Sequence, residues 1–109
     1  MSQRKRFLQL RELILNQPLH PVGAFFQTDP ATGQHCFCLA GGIVHLNGGP
    51  PIHFFSTIET NEQIQQDILI LANATGDDPF EALNELFKIN DAGRVRALTL
   101  IDTALEAMP

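Results

Sequence analysis

The feature that most constrains the fold is a nearly uncharged, glycine-bearing segment in the middle of the chain. Residues 17–58 contain a single charged side chain, Asp29, whereas residues 1–16 hold four bases and one acid, and residues 59–109 hold ten acids and three bases. Inside this segment, residues 35–47 place apolar side chains at helical spacing around Gly41 and Gly42. Each glycine lowers helix propensity by roughly 1 kcal/mol relative to alanine. A helix that tolerates both predicts that another backbone approaches it closely, so we expect a buried central helix here.

The two ends of the chain predict further helices. Residues 3–16 repeat apolar side chains at helical spacing, as do residues 64–71 and residues 98–108. Asp78 followed by Pro79 is typical of a helix start, because the acid caps the first turn and proline suits the first helical position. We therefore expect about five helices packed into one compact domain.

A short β-hairpin is the only β-structure that the sequence indicates. Residues 29–33 carry proline and glycine in the pattern of a turn. Residues 22–27 read as a short extended stretch and residues 52–58 as a short strand, so we predict that these two segments pair. The predicted fold class is therefore mainly α, a compact bundle around a buried glycine-rich central helix with one short β-hairpin, formed as a single domain over residues 1–109.

Composition narrows the possible function. Hydrophobic residues make up 44% of the chain and charged residues 17%, which is enough apolar material for a core. The net charge of −5 is unfavourable for binding nucleic acid, which needs clustered basic side chains. No segment approaches the roughly 18 apolar residues of a membrane span. Two cysteines only two residues apart form no stabilising disulfide framework. Reduced thiols are typical of the cytoplasm, so we predict a cytoplasmic location. We predict no cofactor.

A thiol nucleophile is the chemistry that the sequence best allows. Cys38 lies near the start of the predicted central helix, where the helix dipole favours a thiolate. A catalytic thiol also needs a base, for which His53 or His35 is the candidate, and an orienting group, for which Asp91 is the candidate. The alternative function is therefore a cysteine-dependent hydrolase or transferase. The non-functional interpretation is that Cys38 is a small buried hydrophobe and that Asn90 and Asp91 cap the final helix.

A metal site is not predicted. Histidine and cysteine do cluster in the centre of the sequence, at His35, Cys36, Cys38, His45 and His53. However, Cys36 and Cys38 point to different faces of a regular helix, and no second cysteine pair exists to complete a tetrahedral zinc site.

Four phenylalanines in the uncharged centre form the candidate binding surface: Phe25, Phe26, Phe54 and Phe55. They exceed what the inner face of one small hairpin requires, and an exposed apolar patch usually marks a partner site. The alternative is that they belong to the core, where phenylalanine is commonly found. We predict a small, non-enzymatic binding or regulatory module that contacts a partner protein or a second copy of itself, without nucleic acid or membrane.

Two segments also carry a resemblance to a known family. These are Cys-Leu-Ala-Gly-Gly-Ile at residues 38–43 and Ile-Asn-Asp-Ala-Gly-Arg at residues 89–94. Together with the preceding aromatic stretch they resemble a family of small uncharacterised bacterial proteins, a domain of unknown function. Its members carry a Cys-x-x-Gly-Ala-Leu segment and a later aromatic-Asn-Asp corner followed by Arg. This chain differs in having Gly42 in place of alanine, Ile89 in place of the aromatic residue, and a long apolar insert at residues 50–58. The resemblance implies a mainly helical small domain and no particular activity.

Overall fold

Helices dominate the structure, a computed structural model that describes residues 2–50 and 53–108. Within those residues there are six helices and one two-stranded antiparallel sheet, which confirms the predicted mainly α class with a short hairpin. In chain order the elements are α1 (Gln3–Asn16), β1 (Phe26–Thr28), β2 (His35–Phe37), α2 (Leu39–Leu46), α3 (Phe54–Thr60), α4 (Glu62–Leu71), α5 (Pro79–Asp91) and α6 (Arg94–Glu106). None of the described helices is long and apolar enough to cross a bilayer.

The central helix α2 is buried, as predicted. Every residue from Leu39 to Val44 is buried, and α1, α3, α4 and α5 all pack against this helix. A Cβ atom on Gly41 would lie 2.9 Å from the carbonyl carbon of Phe25 and closer still to its oxygen, which confirms the predicted approach of another backbone. Gly42 faces a side chain instead, since its Cβ would meet a methyl group of Leu10 at 2.5 Å.

The hairpin joins different segments from those predicted. Strand β1 pairs with β2, with Phe26 opposite Phe37, and not with residues 52–58. The turn predicted at residues 29–33 lies between these two strands, where Asp29 accepts hydrogen bonds from the backbone N–H of Ala31 and the hydroxyl of Thr32. A tight turn favours pairing of the strands that it connects, so the nearest segment wins over a distant one. Consequently the central helix is shorter than residues 35–47 and begins only at Leu39.

The segment predicted as the second strand is helix α3. Residues 51 and 52 lie outside the described residues, so the prediction is tested from His53 onwards, and there it is wrong. Phe54 and Ile58 are buried whereas Phe55 is exposed, which is the spacing of one helical turn and not strand alternation. The carbonyl of His53 accepts hydrogen bonds from the backbone N–H and the hydroxyl of Thr57, which closes the first turn.

Helix starts agree with the sequence in α5 but not in α6. Asp78 caps α5 by accepting from the backbone N–H of Phe80 at 2.9 Å, with Pro79 at the first helical position, as predicted. The prediction that Asn90 and Asp91 cap the final helix is wrong. Both belong to the last turn of α5, and α6 follows a glycine with positive φ that provides no side-chain cap.

A buried ion pair ties the first helix to α4. Arg6 and Asp67 are 7% and 1% exposed, and their side chains meet through two hydrogen bonds of 2.8 and 2.9 Å. Gln3 and Asn47 donate further hydrogen bonds to the same carboxylate. Because a buried charge is costly without a partner, this network fixes how α1 and α4 lie against each other.

Candidate functional site

The phenylalanines of the chain centre form one cluster around Phe25. The Phe25 ring stacks on Phe54, with ring centroids 4.2 Å apart and 15° between the ring planes. It also meets two rings edge to face, Phe55 at 5.3 Å and Phe87 at 5.2 Å. These are the favourable geometries for aromatic pairs, so the cluster holds the segment before β1 against α3 and α5.

The outer side of this cluster is open to solvent. Phe55 is 57% exposed and Phe80 is 37% exposed, and their ring centroids are 6.5 Å apart. We call the six rings of the cluster the aromatic face: Phe25, Phe26, Phe54, Phe55, Phe80 and Phe87. Of the four predicted contact residues, Phe55 is exposed, Phe25 and Phe26 are half-buried, and Phe54 is buried in the core. Phe80 and Phe87 were missed, because each occupies an ordinary position in an amphipathic helix.

A pocket of about 280 Å³ opens beside the aromatic face. It is lined by Gly23, Ala24, Phe25, Phe87 and Asp91. The carboxylate oxygen Oδ1 of Asp91 accepts from the backbone N–H of Gly23 at 3.1 Å and from the Asn90 side chain at 3.2 Å. Asp91 is therefore held in place at the pocket instead of rotating freely in solvent.

Asn90 braces the loop between α1 and β1, which forms one wall of this pocket. Its side chain is buried, accepts from the backbone N–H of Leu39 at 3.1 Å and donates to the carbonyl of Pro21 at 2.8 Å. In the same region the backbone N–H of Cys38 donates to the carbonyl of Phe25 at 3.0 Å. These bonds join α5, the start of α2 and the loop, and buried backbone groups rarely lack such partners. The residue type alone did not reveal this role, since asparagine at a corner between two helices equally suggests a cap.

Cys38 caps the central helix with its sulfur. Its Sγ accepts from the backbone N–H of Gly41 at 3.3 Å, and the residue has no exposed surface. Burial raises the pKa of the Cys38 thiol to about 11, which outweighs the lowering by the Gly41 N–H, and the negative charge of Asp91 adds to the rise. A neutral, enclosed thiol is the opposite of the exposed, electropositive setting that activates a nucleophile.

Of the predicted catalytic residues, Asp91 lies close enough to Cys38 to raise the pKa of its thiol, but in the described residues neither His35 nor His53 is hydrogen-bonded to Cys38. His35 is exposed and its Nδ1 lies 3.0 Å from the hydroxyl of Thr28. His53 is also exposed, in a left-handed conformation at the start of α3. Within residues 2–50 and 53–108, no imidazole makes a hydrogen bond with Cys38, and Asp91 contacts Gly23 and Asn90. The candidate metal ligands likewise form no cluster of three or more in the described part of the chain.

A second, larger depression lies elsewhere. It has a volume of about 730 Å³ and runs between the C-terminal ends of α4 and α6. Its lining is mainly aliphatic and includes Leu69, Ile70, Leu100 and Met108. Among the described residues that line it, no aromatic ring is present and Asp77 is the one ionisable side chain, so these residues lack the convergent groups of the pocket beside Phe25.

Comparisons of the chain with known protein families, with curated proteins and with solved structures found no match. The resemblance to a domain of unknown function is therefore not tested and stays a prediction. The functional argument consequently depends on the chain's own residues.

Proposed function

We propose that this chain is a small, non-enzymatic cytoplasmic binding module that recognises a partner protein through the aromatic face. The observation that carries the proposal is the pair of neighbouring exposed rings, Phe55 at 57% and Phe80 at 37%, on top of an ordered aromatic cluster. Exposed apolar patches of this kind mark contact sites, and aromatic residues are enriched at the centres of protein interfaces.

The rigidity of the aromatic face supports this function. Phe55 packs edge to face on Phe25, which itself stacks on the buried Phe54. A partner that covers Phe55 and Phe80 meets rings that are already ordered, so little side-chain entropy is lost on binding. Burying such rings contributes about 25 cal/mol for each Å² removed from water.

Charge around the aromatic face favours a basic partner over a second copy. Asp77, Asp78 and Glu81 are exposed beside Phe80 along the chain, and the protein has a net charge of −5. A two-fold dimer through this face would bring the same acids of both copies together. We therefore propose a partner protein that presents apolar side chains flanked by lysine or arginine.

Peptide selection tests the proposal while the partner is still unidentified. A displayed random-peptide library is selected on the wild-type protein, and the enriched peptides are then measured on the Phe55→Ser/Phe80→Ser variant. We expect this variant to lose peptide binding, because it lacks the two exposed rings that the peptide contacts. We expect it to stay folded, because both side chains are exposed and their replacement leaves the core intact. The matched control is Leu8→Ser/Leu15→Ser, which removes two side chains that are 43% and 41% exposed on α1. Circular dichroism verifies that both variants stay folded.

Two results would contradict the proposal. One is a selection that enriches no peptide, or only peptides that bind the Phe55→Ser/Phe80→Ser variant as well as the wild type. The other comes from light scattering over a range of concentrations: a dimer that dissociates in this variant would make the occupant a second copy. The alternative of a cysteine-dependent hydrolase or transferase stays a prediction, and the thiol modification described below tests it.

A further inference from the structure

The pocket beside the aromatic face combines two rings with one carboxylate. Phe25 and Phe87 line it with their planes at 70°, and Gly23 and Ala24 complete an apolar wall. Among the described lining residues, Asp91 is the single charged one. A volume of about 280 Å³ lies just below the usual 300–1,000 Å³ of small-molecule sites, so it suits one inserted side chain.

The Asp91 carboxylate has one oxygen available for a ligand. Oδ1 is used by the backbone N–H of Gly23 and by the side chain of Asn90. Oδ2 accepts no hydrogen bond from any residue in the described ranges, and Asp91 is exposed. Gly23, in the loop between α1 and β1, therefore helps to hold the Asp91 carboxylate at the pocket and leaves Oδ2 as a free acceptor.

This combination selects a cation. Aromatic rings attract cations through their π-electrons, and a carboxylate accepts charge-assisted hydrogen bonds. An anion is repelled by Asp91, and a neutral apolar group would desolvate the carboxylate without compensation. A guanidinium binds carboxylates best through two oxygens, whereas an ammonium group is a point charge that one oxygen can satisfy. The methylene stem of lysine packs well along apolar rings.

We propose that this pocket takes the alkylammonium side chain of a lysine from the partner protein, with the stem against Phe25 and Phe87 and the ammonium group at Oδ2 of Asp91. The inference rests on the proposed function, because it names the residue that anchors a basic partner. It also predicts that the enriched peptides share one lysine, and that its replacement by norleucine weakens their binding.

The direct test uses a small probe that needs no peptide. Amide NMR spectra of the full chain are recorded during titration with n-butylammonium chloride, with the neutral 1-butanol and with sodium chloride. We expect saturable shifts of the Gly23, Ala24 and Asp91 amides with n-butylammonium. An exposed ion pair contributes little, so we expect n-butylammonium to bind only about threefold to fivefold more tightly than 1-butanol.

Two charge-matched variants locate the carboxylate. Asp91→Asn retains the Oδ1 acceptor for the Gly23 amide but removes the charge, so it should lower the affinity for n-butylammonium to that for 1-butanol. Glu85→Gln removes one negative charge from an exposed position of the same helix and should leave the affinity unchanged.

Three outcomes would overturn the lysine pocket. They are an absence of saturable shifts with n-butylammonium, equal binding of n-butylammonium and 1-butanol, and an effect of Glu85→Gln as large as that of Asp91→Asn. None of these outcomes changes the peptide-selection result at Phe55 and Phe80, so the proposed function and the lysine pocket fail separately.

Discussion

Replacing Gly41 by alanine should destabilise the protein more than any other glycine-to-alanine change in the central helix. The added Cβ would lie 2.9 Å from the carbonyl carbon of Phe25, where ordinary contact begins near 3.4 Å. The obstacle is backbone, which no rotamer change can move aside. The carbonyl of Phe25 must retreat from α2, and it is the acceptor of the hydrogen bond from the Cys38 N–H.

The expected loss can be built from three effects. Alanine gains about 1 kcal/mol over glycine in helix propensity. Overpacking costs about 1–3 kcal/mol, and leaving the buried N–H of Cys38 without a partner costs about 1–3 kcal/mol more. The free energy of unfolding of Gly41→Ala should therefore fall by about 1–5 kcal/mol, which is a large part of the 5–15 kcal/mol of a typical domain.

Two other glycines are matched controls. In Gly42→Ala the neighbour is a methyl group of Leu10, which can shift, so we expect a loss below that of Gly41→Ala. In Gly76→Ala nothing lies within 4 Å of the new Cβ, and we expect a neutral change or a gain of about 0.4–1 kcal/mol. The chain has neither tryptophan nor tyrosine, so urea unfolding is best followed by far-ultraviolet circular dichroism.

The relative free energies of unfolding of these glycine variants test whether the Phe25 carbonyl limits the size of residue 41. A Gly41→Ala variant within about 0.5 kcal/mol of the wild type would show that the Phe25 carbonyl does not constrain this position. A loss at Gly76 as large as that at Gly41 would contradict it too. Because Phe25 lines the pocket and its backbone must shift, we also expect Gly41→Ala to weaken the response of the Ala24 amide to n-butylammonium.

Three further predictions concern buried groups. Burial raises the pKa of the Cys38 thiol to about 11 from 9.0, so its thiolate fraction at pH 8 is about 100-fold smaller. We therefore expect a thiol reagent to modify Cys38 only when the protein unfolds. Rapid modification of Cys38 in the native protein, located by mass spectrometry, would favour the enzyme alternative. Asp67→Asn should lower the free energy of unfolding by about 3–5 kcal/mol, and Arg6→Met/Asp67→Leu should recover much of that loss in urea unfolding. Asn90→Ala removes two buried hydrogen bonds and should lower the melting temperature, whereas the exposed Asn84→Ala should not.

The sequence by itself determined the elements whose signals are local. Helix α1 covers the predicted residues 3–16, and α5 starts after Asp78 as its cap predicts. The close backbone approach at Gly41 was also readable, because glycine in a helix is unfavourable unless something requires it. Caps, periodicity and helix-breaking residues act over a few neighbouring positions, so the amino-acid order is sufficient to identify them.

The tertiary structure alone decided which distant segments meet. Residues 54–60 have the apolar character of a strand or a helix, and packing of Phe54 on Phe25 selects the helix. Asn90 could equally cap a helix or brace a loop, and only the nearby N–H of Leu39 selects the second role. The pocket joins residues 23–25 to Phe87 and Asp91, more than sixty positions along the chain. Such contacts are chosen by burial and hydrogen bonding in three dimensions, and no local pattern encodes them.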